Sequence, residues 1–125
     1  MLNRVVYCGR IATELNVRKS KNNKSFLFFN LAVPRQNDDK TDFINCVVFN
    51  NKAENLVKYQ SKGNLIIIEG STETYKKDNI NMSRCLVDRI TYLENKKEDS
   101  IQSVIDSEED KNENYDIISG EDLPF

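Results

Sequence analysis

The chain has 125 residues, of which 38% are hydrophobic and 30% are charged, as expected for one soluble domain of ordinary size. Its net charge of −2 hides a division, because residues 1–97 hold 17 basic and 10 acidic residues, and residues 98–125 hold one basic and 10 acidic residues. The body therefore carries +7 and the tail −9. No run approaches the about 20 apolar residues of a transmembrane helix, and the first residues lack a signal peptide's pattern, so we expect a cytoplasmic protein without membrane contact.

The sequence offers little for catalysis or metal binding. Cys8, Cys46 and Cys85 are widely spaced and the chain has no histidine, which excludes a zinc site of ordinary spacing and a Ser-His-Asp or Cys-His nucleophile. No Gly-rich phosphate loop occurs among four glycines. We expect reduced cysteines acting as small apolar residues, no cofactor and no enzymatic activity.

The first third of the chain predicts two strands. Residues 2–11 are rich in Val, Ile, Tyr and Cys, with Leu15 and Val17 as a candidate extension. A polar turn at 19–24 precedes a second strand at 25–33, which Pro34 ends. One face of this second strand carries Leu27, Phe29, Leu31 and Val33.

Phe26 and Phe28 project from the opposite face of the second strand. With apolar bulk on both faces, one face is core and the other must meet a partner chain or a ligand. For Phe28 the sequence leaves open a nucleic-acid face or a subunit contact.

After a third strand at 42–49 the hydrophobic period changes from two to about 3.6 residues, which predicts a short helix. Asn51 and Glu54 have the spacing of a capping box, and Gly63 is a suitable C-terminal stop. The helix face would carry Ala53, Leu56, Val57 and Gln60. A fourth strand at 65–69, a polar turn at 76–81 and a fifth strand at 82–93 complete the body.

Five strands with one short helix between the third and fourth predict an all-β, closed or nearly closed barrel, because one helix cannot cover both faces of an open sheet. The core of such a small body is thin, so oligomerisation would help.

Several segments, in order, match one known family. They are MLNRVVYCG at 1–9, LAV at 31–33, DFINCVVFNNKAEN at 42–55, YQSKGNLIIIEG at 59–70 and DLPF at 122–125. Through them the chain resembles the bacterial-type single-stranded DNA-binding proteins (SSB), which are homotetrameric, five-stranded OB-fold barrels of replication, recombination and repair. The resemblance implies a binding and oligomerisation domain at residues 1–97.

The resemblance also implies which residues bind DNA. Phe43 and Phe49, on one face of the third strand, match aromatic positions that stack on bases, although either could be core. The matched basic positions that contact the DNA backbone are Arg4, Lys62 and Lys76, with Arg35 and Lys77 as plausible additions. Any one of these could instead be solubilising surface, but a body charge of +7 favours collective use.

The chain departs from the family pattern at two stacking positions. Pro34 and Arg35 stand where an aromatic residue usually follows the second strand, and Lys77 stands where another is expected. Tyr75, two residues earlier, could take over that stacking or be a surface packing residue.

The tail predicts a different role. Residues 98–121 are acidic and poor in large apolar side chains, which predicts a disordered linker. Residues Asp122, Leu123, Pro124 and Phe125 combine anions with apolar bulk, and in the family this tip recruits replication, recombination and repair proteins. The alternative is a tail that only solvates the protein.

The leading hypothesis is therefore a non-catalytic, sequence-tolerant single-stranded DNA-binding protein that is a homotetramer and recruits partner proteins. An OB-type protein-interaction adaptor and an RNA or oligosaccharide binder stay as alternatives, since the fold does not fix the ligand.

Overall fold

Five long strands form a closed barrel in the computed structural model, which describes residues 1–96. The predicted linker and tip lie outside the described residues. The strands are β1 (Val5–Ile11), β2 (Arg18–Lys19), β3 (Ser25–Pro34), β4 (Thr41–Phe49), β5 (Leu65–Lys77) and β6 (Ile80–Tyr92), and the helix α1 (Asn50–Tyr59) lies between β4 and β5. The all-β prediction with one helix at this point of the chain is confirmed, and the two-residue β2 is an addition.

The strands follow the order β1-β5-β6-β4-β3-β2, and β1 also pairs with β3, which closes the barrel. All pairings are antiparallel except that between β4 and β6, which is parallel. Among the described residues no helix is long and apolar enough to cross a membrane.

The barrel interior is filled by alternate residues of the strands, as their period of two requires. Leu27, Phe29 and Leu31 of β3 are at most 1% exposed and lie in one buried cluster, which confirms that they share a face and identifies that face as the core. The other buried members of this cluster are Ile11, Cys46, Val48, Ala53, Leu56, Ile66, Ile68, Cys85 and Val87.

A second, smaller cluster lies on the opposite face of β3 and β4. Phe26, Val47 and Phe49 are buried there, with Phe28 and Leu86 partly buried against them. The rings of Phe26 and Phe28 pack edge to face with their centroids 5.5 Å apart, a favourable aromatic geometry. The apolar bulk on both faces of β3 is thus covered largely within the chain.

Three local predictions are wrong. The N-cap of α1 is Phe49 and makes no side-chain cap hydrogen bond, so the predicted capping box is absent, and the helix ends at Tyr59, before Gly63. Leu15 and Val17 also lie outside the strands. Leu15 packs on the core without joining the sheet.

The hairpin of β5 and β6 is longer than the sequence predicted. β5 continues past Glu69 to Lys77, and pairing with β6 extends to Lys77↔Ile80. Only Asp78 and Asn79 separate the two strands, and both have positive φ. Both central residues of a type I′ turn have positive φ, and this turn is common in two-residue hairpin loops. The hairpin therefore extends beyond the barrel and carries polar side chains.

Candidate functional site

A cleft opens at one end of the barrel, where β4 and β6 separate. Two residue pairs join these strands, Cys46↔Cys85 and Val47↔Leu86, and within residues 1–96 no earlier residues of the two strands pair. The cleft has a volume of about 130 Å³ and is lined by Tyr7, Phe43, Ile44, Asn45, Thr72, Ser83, Arg84 and Cys85.

Phe43 stands on the β4 wall of this cleft and is 61% exposed. A large apolar ring left this open offers the flat surface that an unpaired base needs for stacking. The predicted stacking role of Phe43 stays a prediction, and the ring has the accessibility that the role requires.

Phe49 does not fit its predicted base-stacking role, because it is only 2% exposed and is a member of the second buried cluster. Its backbone pairs with that of Phe26, and Val47 of the same cluster is completely buried. Its ring has no open face for a base, so the packing alternative applies to Phe49.

Tyr75 is half-buried on β5 beside Arg84 of β6. The guanidinium carbon of Arg84 lies 4.3 Å from the centroid of the Tyr75 ring, which is a cation–π contact. One face of the ring is thus occupied within the chain, which weakens the prediction that Tyr75 takes over base stacking.

The predicted arginines are held by carboxylates. Arg4 donates hydrogen bonds to Glu69 at 3.0 Å and to Asp88 at 2.8 Å, and these bonds raise its pKa, that with Glu69 most strongly. A DNA phosphate must compete with both carboxylates for Arg4.

Arg35 lies just after β3 and is paired in the same way. Its Nε and Nη2 donate to Asp42 at 3.0 to 3.2 Å, and Asp38 lies 3.6 Å away. The hydrogen bond from Arg35 lowers the pKa of the Asp42 carboxyl. Asp42 directly precedes Phe43 in β4, so the pair lies beside the Phe43 position along the strand.

The predicted lysines Lys62, Lys76 and Lys77 are all exposed. β5 runs antiparallel to β6, and β6 runs parallel to β4, so β5 ends on the side where β4 begins. Lys76 and Lys77 thus lie towards the Phe43 end of the sheet. Lys62 precedes β5 and lies towards the opposite end.

Sequence reasoning missed Arg84, whose side chain is 1% exposed and forms an ion pair with Glu73. The sequence signal for Arg84 is its position between Met82 and Leu86 on one face of the strand. The strand period of two places a charged residue between two apolar ones on that face.

The cysteines fit their predicted role in part. Cys46 and Cys85 are buried and form no disulfide bond, as expected for small apolar residues. Cys8 is exposed, so it does not fit that prediction. A hydrogen bond with the Cys85 thiol and burial raise the pKa of Cys46, which keeps it protonated and unreactive. No group of three or more potential metal ligands occurs in residues 1–96.

Comparisons with known proteins agree with this architecture. The model of the single-strand binding protein family matches residues 2–92. Single-stranded DNA-binding protein 4 of Streptococcus agalactiae is 33% identical over 138 residues, covering 100% of both chains. Single-stranded DNA-binding protein 1 of Staphylococcus aureus is 34% identical over 112 residues, covering 82% of this chain and 72% of its own.

Among solved structures, the mitochondrial single-stranded DNA-binding protein Rim1 of S. cerevisiae superposes with a TM-score of 0.67 at 26% identity. The match covers 78% of this chain and 99% of Rim1. Because the family model spans nearly the whole described barrel and the relatives share a third of their residues, the chain belongs to the single-strand binding protein family.

Proposed function

We propose that this protein binds single-stranded DNA without catalysing a reaction and with little sequence preference, protecting unwound strands in replication, recombination and repair. The observation that carries the proposal is the exposed ring of Phe43 at the cleft of a barrel whose family and relatives are named for this ligand. A stacked base contributes about 1 to 3 kcal/mol, and stacking tolerates every base.

The DNA backbone would be held by basic side chains around this ring. Lys76 and Lys77 extend the site along the hairpin, and Lys62 extends it towards the other end of the barrel. Arg4 and Arg35 would contact the DNA backbone only after phosphates displace the carboxylates that pair with them. The +7 charge of residues 1–97 supports collective neutralisation of phosphates, each adding about −0.7 to the salt slope.

The protein assembles as a homotetramer in this proposal. Val5 to Gly9 pair with β5 on one side, whereas the β1–β3 pairing within the described residues begins at Arg10. Such a strand edge invites pairing with another chain. Val6 is 60% exposed beside it, which supports burial of this region against a second subunit.

The tail supplies a second activity in the proposal. Asp122, Leu123, Pro124 and Phe125 form a partner-binding tip at the end of the acidic linker 98–121, and replication, recombination and repair proteins are its partners. The protein acts in the cytoplasm, at the nucleoid. The acidic composition of the linker and the resemblance of the tip to that of the family support this role.

The test is a titration of a fluorescent oligo(dT) with the full chain, in competition with duplex DNA and with RNA, together with native mass measurement. We expect oligo(dT) to be preferred and the complex to contain four chains. Equal binding of single-stranded and duplex DNA would overturn the proposal, stronger RNA binding would make it an RNA-binding module, and no nucleic-acid binding would favour the adaptor.

A further inference from the structure

Arg84 is a buried arginine with one unused donor. Its Nε donates to Oε1 of Glu73 at 2.8 Å, and its Nη2 donates to the same oxygen. Nη1 is enclosed and has no hydrogen-bond partner among residues 1–96. An enclosed donor without an acceptor is unfavourable, so an acceptor supplied by a ligand would be bound favourably.

This donor belongs to a side chain that lines the Phe43 cleft. Phe43 and Asn45 form part of the opposite wall, and Thr72 and Ser83 add further polar groups. The Tyr75 ring against the guanidinium and the Glu73 carboxylate hold Arg84 in place. The cleft therefore combines an aromatic surface with a fixed donor.

The charge balance decides which acceptor fits. Glu73 already neutralises Arg84, and its side chain is 33% exposed, so a phosphate in the cleft would be repelled by the carboxylate. A neutral carbonyl oxygen meets no such repulsion. Thymine and guanine carry exocyclic carbonyl oxygens, whereas the exocyclic group of adenine is an amino donor and its acceptors are ring nitrogens, which lie further inside the base.

Access to Nη1 requires side chains around the cleft to move. Because Phe43 is 61% exposed, its ring has room to turn as a base enters, and the turned ring can then pack on that base. Stacking and hydrogen bonding thus involve the same nucleotide.

We propose that Nη1 of Arg84 donates a hydrogen bond to a carbonyl oxygen of the base that stacks on Phe43, so that this cleft favours carbonyl-bearing bases over adenine. The inference deepens the proposed binding of single-stranded DNA and rests on it.

The first experiment measures the affinities of the full chain for oligo(dT) and oligo(dA) of equal length, in wild type, Arg84→Met and Arg89→Met. Arg89 is a matched control, because it lies on the same strand, its side chain is 72% exposed and it loses the same charge. We expect Arg84→Met to weaken oligo(dT) binding about tenfold, as for loss of one hydrogen bond to a charged group, and oligo(dA) binding less than about twofold. Self-stacking of oligo(dA) is the same for every variant and cancels in this comparison.

A second measurement uses the unaltered protein, so it stands even if Arg84→Met does not fold. Hypoxanthine replaces adenine at dispersed positions of oligo(dA), which exchanges the amino group for a carbonyl oxygen on the same purine. We expect tighter binding of the substituted strand.

The inference is overturned if a folded Arg84→Met lowers both affinities equally, or if hypoxanthine gives no gain. Either result leaves single-stranded DNA binding intact. If wild type binds neither oligonucleotide, the proposed function itself fails.

Discussion

Phe43 and Phe49 lie on the same face of β4, six residues apart, yet Phe43 is 61% exposed and Phe49 is 2% exposed. Phe43→Ala should therefore weaken oligo(dT) binding by about 1 to 3 kcal/mol per lost stacking contact and leave the unfolding midpoint nearly unchanged. Phe49→Ala should lower the free energy of unfolding by about 3 to 5 kcal/mol, as for other buried rings. Fluorescence titration and urea unfolding of both variants measure the two effects.

The two variants serve as controls for each other. Oligomer mass is measured for both, because dissociation of the Phe43→Ala oligomer would assign that ring to a subunit interface. A large loss of stability for Phe43→Ala together with none for Phe49→Ala would contradict the exposure difference.

The ion pair of Arg35 with Asp42 restrains a cation near Phe43. Asp42→Asn removes the carboxylate to which Arg35 donates, so we expect tighter oligo(dT) binding and a salt slope that is steeper by about 0.7 if one more phosphate is neutralised. Asp39→Asn makes the same charge change in the loop that precedes β4, where the structure gives Asp39 no ion pair within residues 1–96. Equal gains from the two variants would mean that net charge alone acts.

The same pair predicts a pH dependence of stability. Arg35 lowers the pKa of Asp42 from its ordinary value of 3.8, so the folded state binds this proton less readily than the unfolded state. The stabilisation is complete above pH 3.8 and is lost as the pH falls through the lowered pKa of the folded state. Wild type and Asp42→Asn should therefore differ in unfolding free energy by a constant amount near neutral pH and converge in acid. A carboxyl titration followed by NMR checks the direction, and an unshifted or raised Asp42 pKa would contradict it.

The sequence predicted those parts of the fold that alternation specifies. Leu27, Phe29 and Leu31 repeat every second residue, and the structure buries them together. The second half of β5, from Thr72 to Lys77, lacks that signal because both of its faces carry polar groups, and cross-strand pairing with β6 forms it.

The candidate site was predictable only in part, for a similar reason. Phe43 and Phe49 are the same residue type with the same strand parity, so only the tertiary arrangement separates the exposed ring from the buried one. Arg84 is buried by partners 9 and 11 residues away on β5, Tyr75 and Glu73. No local pattern encodes that contact.

The bulge at Gly70 predicts a position that tolerates no side chain. The register of β5 against β6 shifts between Glu69 and Gly70, and a Cβ on Gly70 would collide with the backbone carbonyl oxygen of Leu86. Gly70→Ala should therefore separate the strands locally and lower the free energy of unfolding by more than Gly63→Ala. Gly63 has φ of +97° with open space around its Cβ position. Gly63→Ala should therefore lose only the free energy of placing alanine in a left-handed backbone conformation, about 1 to 2 kcal/mol. Thermal unfolding of the two variants compares them, and equal losses would contradict the collision.

The opposed charges of body and tail predict competition for the DNA-binding surface. Residues 98–125 carry −9 and are tethered to a body of +7, so the tail meets the basic residues at the high effective concentration that a linker gives. Changing the acidic residues of 98–121 to Asn and Gln keeps the length and the tip but removes most of the charge. This variant should bind oligo(dT) more tightly than wild type at low salt, and the gain should shrink as the Debye length falls from about 10 Å at 0.1 M to about 3 Å at 1 M salt.

A chain that ends at residue 97 should show the same gain, since charge is the shared cause. A gain on truncation alone would instead implicate the tip or the bulk of the tail, and equal affinity of all three proteins at low salt would rule out competition.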